Sequence, residues 1–132
     1  MSQAVSGRIP PQNLDAERSV LGAILLDQEA IVSVADIIVP DSFYVPAHQY
    51  IYAGMEALYE KRQPIDVVTL TNQIKKMKKL SDIGGTTAIA ELSNVVSTAA
   101  NAKHYAQLVS ESYVKRRLIT MSAEMNDLAF DP

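Results

Sequence analysis

The sequence predicts an all-α fold: a compact bundle of about five to six helices with one long helix at its C-terminal end. Three observations predict it. Apolar residues recur at helical spacing almost throughout the chain. β-Branched residues rarely alternate with polar ones. Glycine occurs only five times in 132 residues, at Gly7, Gly22, Gly54, Gly84 and Gly85. A composition of 48% hydrophobic and 20% charged residues suits one domain with a modest core.

Residues 1–12 contain neither a basic head nor an apolar run, so they do not read as a secretory signal. They are expected to form a flexible N-terminal arm. A globular helical body is expected over residues 13–100. Its first helix opens after Pro10-Pro11 with Asn13 as cap, and Leu14, Leu21, Ile24 and Leu25 share one face. Asp27 caps a short second helix carrying Ile31, Val34 and Ile38, which ends before Pro40. Pro46 suits a first turn. A third helix follows over roughly 47–61, with Ile51, Met55, Leu58 and Tyr59 inward. Pro64 breaks it, and Asp66 caps a fourth carrying Leu70, Ile74 and Met77. Gly84-Gly85 makes a turn, and a fifth helix carries Ile89, Leu92 and Val96.

The last helix, over residues 101–132, has neither glycine nor proline between Ala102 and Asp131. About 28 helical residues would span roughly 42 Å. A folded unit of about 100 residues has a radius of gyration near 13 Å, so the helix is expected to project beyond the body. Tyr105, Leu108, Val109 and Ile119 form one apolar face. A second stripe, Val114, Leu118, Met121, Met125 and Leu128, is spaced four, three, four, three, like a heptad seam. A helix with two apolar faces needs two sets of neighbours. The second stripe therefore calls for a helix from residues after Pro132, from a second copy or from another protein, with Arg116 and Arg117 flanking it for acidic partner residues.

No chemical constellation is legible. There is no phosphate loop, no dinucleotide fingerprint, no zinc-protease motif and no nucleophile elbow. There is no cysteine, which excludes disulfides and thiolate metal sites. No run of 18 apolar residues is present to span a membrane. The carboxylates, including Asp15, Glu17, Asp27 and Asp66, suit helix caps and first turns. The expectation is a segment with no catalytic, cofactor or metal site. The formal charge of −3 argues mildly against nucleic acid as the main partner. Lys75, Lys76, Lys78 and Lys79 are the best candidates for DNA contact, although cations at a helix C-terminus are favoured anyway.

Four of the eight Phe and Tyr residues crowd into "DSFYVPAHQYIY", residues 41–52. No Arg or Lys occurs among the 42 residues between Arg18 and Lys61. Base-stacking platforms interleave aromatics with cations, so these aromatics read instead as core. The expected core comprises Leu21, Ile24, Phe43, Tyr44, His48, Ile51, Met55, Leu70 and Tyr105.

The segments "PPQNLDAERSVLGAILLD" (10–27), "DSFYVPAHQYIYAGMEALY" (41–59), "PIDVVTL" (64–70), "IGG" (83–85), "AELS" (90–93), "TAANAKHYAQLV" (98–109) and "KRRLI" (115–119) together resemble the N-terminal domain of bacterial replicative DNA helicases of the DnaB type. They stand in that family's order and cover most of residues 8–120. Two positions depart from it: Lys79, where a turn residue is usual, and Ala88, where an aromatic is common. The resemblance implies a helical body followed by a helical hairpin, of which the long helix is the first arm. It implies a cytoplasmic protein whose paired domains form a collar on a hexameric ring and receive primase, with a helicase loader as a further candidate partner. ATP and magnesium would belong to a motor domain beyond this segment, and single-stranded DNA to the full-length ring. The alternatives are a stand-alone helical adaptor without a motor, and a DNA-binding module using the Lys75–Lys79 cluster.

Overall fold

The structure is a computed structural model that describes residues 8–132. Among them are six α-helices and no strand: α1 (Leu14–Leu26), α2 (Ala30–Val34), α3 (Pro46–Glu60), α4 (Val67–Lys76), α5 (Gly85–Leu92) and α6 (Ala102–Phe130). A 3₁₀ turn, Pro40–Ser42, leads into α3.

Local chemistry sets the helix starts. The Asn13 side chain accepts from the Ala16 N–H at 2.9 Å. Asp66 accepts from Thr69 N at 2.8 Å, while Thr69 Oγ1 accepts from Asp66 N at 2.9 Å, a reciprocal capping box. Asp27 terminates α1 and accepts from Glu29 N at 3.1 Å, so it initiates the α2 turn. Pro46 opens α3 in the first turn. Gly84 and Gly85 both have positive φ, at 97° and 78°, where glycine carries no Cβ penalty.

α1 is the central element. Its Val20, Leu21, Ala23 and Ile24 are buried, and it packs against α2, α3, α5 and α6. Gly22 allows the close approach of α5: a Cβ there would lie 2.6 Å from the Leu92 carbonyl oxygen. α3 and α4 form a second pair, with Gly54 facing Leu70 and Ile74. The aromatic segment supplies bulk between the layers. Phe43 and Tyr52 are both buried, with ring centroids 5.3 Å apart. The Tyr52 hydroxyl donates to the Ile38 carbonyl at 3.4 Å. Burial, then the nearby Glu56 charge, pushes its pKa above the usual phenol value and keeps it a donor.

Of the expected core positions, Leu21, Ile24, Phe43, His48, Ile51, Met55 and Leu70 are buried, and Tyr105 is half-buried. Two aromatics are corrected. Tyr44 lies at the surface, 36% exposed, and Tyr59 is exposed as well. Tyr44 sits in the loop before α3, next to the buried Phe43, and Tyr59 lies in the last turn of α3. Ile38 and Val96 are packed against the core from turns beyond α2 and α5, not from the helices themselves.

Candidate assembly interface

α6 is 29 residues long, about 43 Å at 1.5 Å per residue. Its first turns belong to the packing of the body: Ala102, Ala106 and Val109 are buried, chiefly against α1 and α2. Small residues at 102 and 106 let the helix axes approach closely. From Arg117 to Pro132 every residue is exposed. The predicted stripe falls mainly on this free half. Val114, Leu118, Met121, Met125 and Leu128 are between 45% and 71% exposed, although all five are apolar. Positions spaced by three and four lie on one helix face, so the five form a continuous apolar strip on the outside of the molecule. Ile119, expected to face the body, is 53% exposed.

The two arginines part company. Arg117 is exposed beside the stripe. Arg116 is not free to meet a partner, which corrects its expected role. Its Nη1 donates to the Pro11 carbonyl and its Nη2 to the Ser42 carbonyl, each at 2.8 Å. Its guanidinium also lies 5.4 Å from the Tyr44 ring centroid and 5.8 Å from that of Tyr113. The surface position of Tyr44 is thus occupied by a cation–π contact. Pro11, within the expected arm, is tied to α6 by the same residue; residues 1–7 of that arm lie outside the described residues. Beside this junction is a groove of about 630 Å³ lined by Ile9, Pro10, Pro11, Tyr44, Arg116 and Ile119.

A buried carboxylate, read from sequence as a first-turn acid, has a larger role. Glu17 is 1% exposed. Its Oε2 accepts from Tyr44 N at 2.7 Å, and its Oε1 accepts from Val45 N at 3.3 Å and from His48 Nδ1 at 2.8 Å. The His48 proton is therefore on Nδ1. Glu17 caps the entry to α3 from another helix, and nothing in the local sequence pattern could signal a partner 31 residues away. Among the described residues no group of three His, Cys, Asp or Glu side chains is placed to hold a metal ion, and no helix is long and apolar enough to cross a membrane.

The lysine cluster closes α4. Lys75, Lys76 and Lys78 are exposed at its C-terminal end, and Lys78 takes a positive φ of 60°. Lys79 is half-buried, its ammonium 4.8 Å from the Tyr50 ring centroid and 3.9 Å from Asp82. This is the charge placement that a helix C-terminus favours.

The chain is thus a helical body bearing a half-free helix with an outward apolar stripe. Comparison with known proteins places it. Residues 9–111 match the family described as DnaB-like helicase N terminal domain, and the chain belongs to that family. It is 44% identical over 119 residues to the replicative DNA helicase DnaB of Geobacillus stearothermophilus and 40% identical over 119 residues to the replicative DNA helicase DnaC of Bacillus subtilis. Each alignment covers 90% of this chain but 26% of the relative, so the chain spans about a quarter of the length of these helicases. The crystal structure of the N-terminal domain of DnaB helicase from Mycobacterium tuberculosis superimposes with a TM-score of 0.89 at 38% identity, covering 94% of this chain and 90% of that one. A DnaB-like replicative helicase, solved in a study of its interactions with primase, superimposes with a TM-score of 0.76 at 30% identity, covering 91% of this chain and 29% of that one.

Proposed function

We propose that this chain is the non-catalytic collar segment of a replicative DNA helicase and serves ring assembly and primase docking. One observation carries the reading: a strip of five apolar side chains stands in water on the free half of α6. Such a strip matches a helix–helix seam, and methionines at two of its five positions suit a surface that repacks against more than one partner. The self-association residues are Val114, Leu118, Met121, Met125 and Leu128, with Arg117 at the edge; Arg116 serves the seam from behind. Residues 13–100 act as the body and the helix from 101 onward as the first arm of a hairpin. Its second face is covered by another arm or another copy.

In the full-length protein, the motor domain would bind ATP and magnesium, and the hexameric ring would unwind DNA in the 5′ to 3′ direction along a single strand. Primase is the proposed collar partner; the primase study of a helicase of the same fold supports it. A helicase loader is a further candidate, and the proposed setting is the cytoplasm. A stand-alone adaptor is less well supported, because the relatives are helicases of which this chain matches the N-terminal domain family.

Light scattering across a concentration series tests the seam. The expected result is a mass that rises with concentration and falls to the monomer value in Leu118→Lys. A monomer at every concentration, with or without the substitution, would refute self-association of this chain through the stripe.

A further inference from the structure

The last fully buried side chain of α6 is Val109, yet the helix runs on to Phe130. Isolated helices shorter than about 12–15 residues are marginal in water, so a free half of this length depends on how firmly its root is held. Among the described residues, Arg116 is the one side chain of α6 that hydrogen-bonds outside its own helix. It does so with both arms of its fork. One meets the N-terminal segment at Pro11 and the other the 3₁₀ turn at Ser42. A rigid planar fork can satisfy two carbonyls from two segments at once, whereas an ammonium on a flexible stem cannot fix both directions.

The loop that Arg116 grips is also held from its other side. Glu17 takes the N–H groups of Tyr44 and Val45, while Arg116 takes the Ser42 carbonyl and lies against the Tyr44 ring. Residues 42–45 are thus clamped between a buried anion on their N–H groups and a cation on their carbonyl and aromatic side.

We infer that Arg116 is a positioning residue that fixes the direction in which the free half of α6 leaves the body, and that the N-terminal segment controls this direction through the Pro11 carbonyl. The inference rests on the reading of α6 as an assembly surface and adds to it a regulatory input: any partner or modification that pulls residues 8–12 away releases one arm of the clasp.

Hydrogen exchange read by mass spectrometry tests it, with every variant made in the Leu118→Lys background so that association does not protect the helix. Arg116→Ala is expected to speed exchange of residues 110–130 by about tenfold or more, while α1 changes by less than about twofold. Arg116→Lys and removal of residues 1–11 should give intermediate gains, since each leaves one anchor. Unchanged exchange over residues 110–130 overturns the inference. So does an equal rise in α1 and α6, which would make Arg116 a general stability residue. In the background that retains Leu118, Arg116→Ala should weaken dimerisation by about tenfold or more, an effect read in the same concentration series. An unchanged dimerisation constant overturns the inference too. A chain that never dimerises removes the assembly reading but leaves the exchange result to stand or fall alone.

Discussion

Glu17→Ala should be the most damaging single truncation of a polar residue in this domain. The carboxylate is 1% exposed and receives three donors, at 2.7, 2.8 and 3.3 Å. Removing it leaves the Tyr44 and Val45 N–H groups and the His48 Nδ1–H without a partner. A buried donor left unpaired costs about 1–3 kcal/mol. The two backbone groups are half-open to water and take the low end, about 1 kcal/mol each; the His48 nitrogen is buried and takes about 2. The sum is about 4 kcal/mol, a large share of the roughly 5–15 kcal/mol that holds such a domain together. Glu17→Gln keeps the Oε1 acceptor but turns an amide N–H₂ toward the Tyr44 N–H, donor against donor, and should cost about 2 kcal/mol. Urea unfolding at fixed pH measures both. With a slope near 2 kcal/mol per molar, the alanine variant should lose about 2 M in midpoint and the glutamine variant about 1 M. A loss below about 1 kcal/mol for Glu17→Ala would refute the argument, because it would mean that water replaces all three bonds without penalty.

Other substitutions probe other links. Gly22→Ala places a methyl 2.6 Å from the Leu92 carbonyl oxygen and should destabilise by about 1–3 kcal/mol in urea, because backbone must move. Gly54→Ala would press a methyl to 3.0 Å from Ile74 Cγ1 and from Leu70 Cδ1, both on fully buried side chains, and should destabilise by about 1–2 kcal/mol despite a gain in helix propensity of about 1 kcal/mol. Lys78→Gly relieves a positive φ at the end of α4 and should raise the unfolding midpoint by the equivalent of about 0.5–1 kcal/mol. Burial, then the Glu60 charge, raises the Glu56 carboxyl above its usual pKa. Its protonated form therefore favours the folded state: that stability is present below the ordinary carboxylate pKa and is lost as pH rises through the raised one. Glu56→Gln should accordingly stabilise at neutral pH and make no difference in strong acid, as read from urea midpoints across pH.

What was legible in the sequence was local. Asn13, Asp66 and Pro46 act within three residues of their own positions, so their types announce helix starts. The core stripe of α3 and the apolar strip of α6 are set by a 3.6-residue period that any helix must obey. What was not legible was long-range. Arg116 looked like a charge flanking the strip because spacing places it next to Arg117; its partners lie 105 and 74 residues away in the chain. Glu17 passed for a first-turn acid for the same reason. Tyr44 was read as core because it is aromatic and sits beside Phe43, but alternation at a loop turns one ring in and its neighbour out. Periodicity shows which residues share a face and leaves open where the neighbouring element stops.

The unbroken path of α6 from Val109 to Leu128 links packing inside the body to the phase of the strip outside it. Each residue advances a helix by about 100° and 1.5 Å. One amino acid inserted between Arg116 and Leu118 would leave the body intact yet swing Leu118, Met121, Met125 and Leu128 about a quarter-turn around the axis, to face a different quadrant. Seven inserted residues would bring them back to within about 20° of their original bearing, displaced outward by two turns. Insertions and deletions here should therefore be tolerated in multiples near a heptad and rejected otherwise, even though every residue from Arg117 onward is exposed.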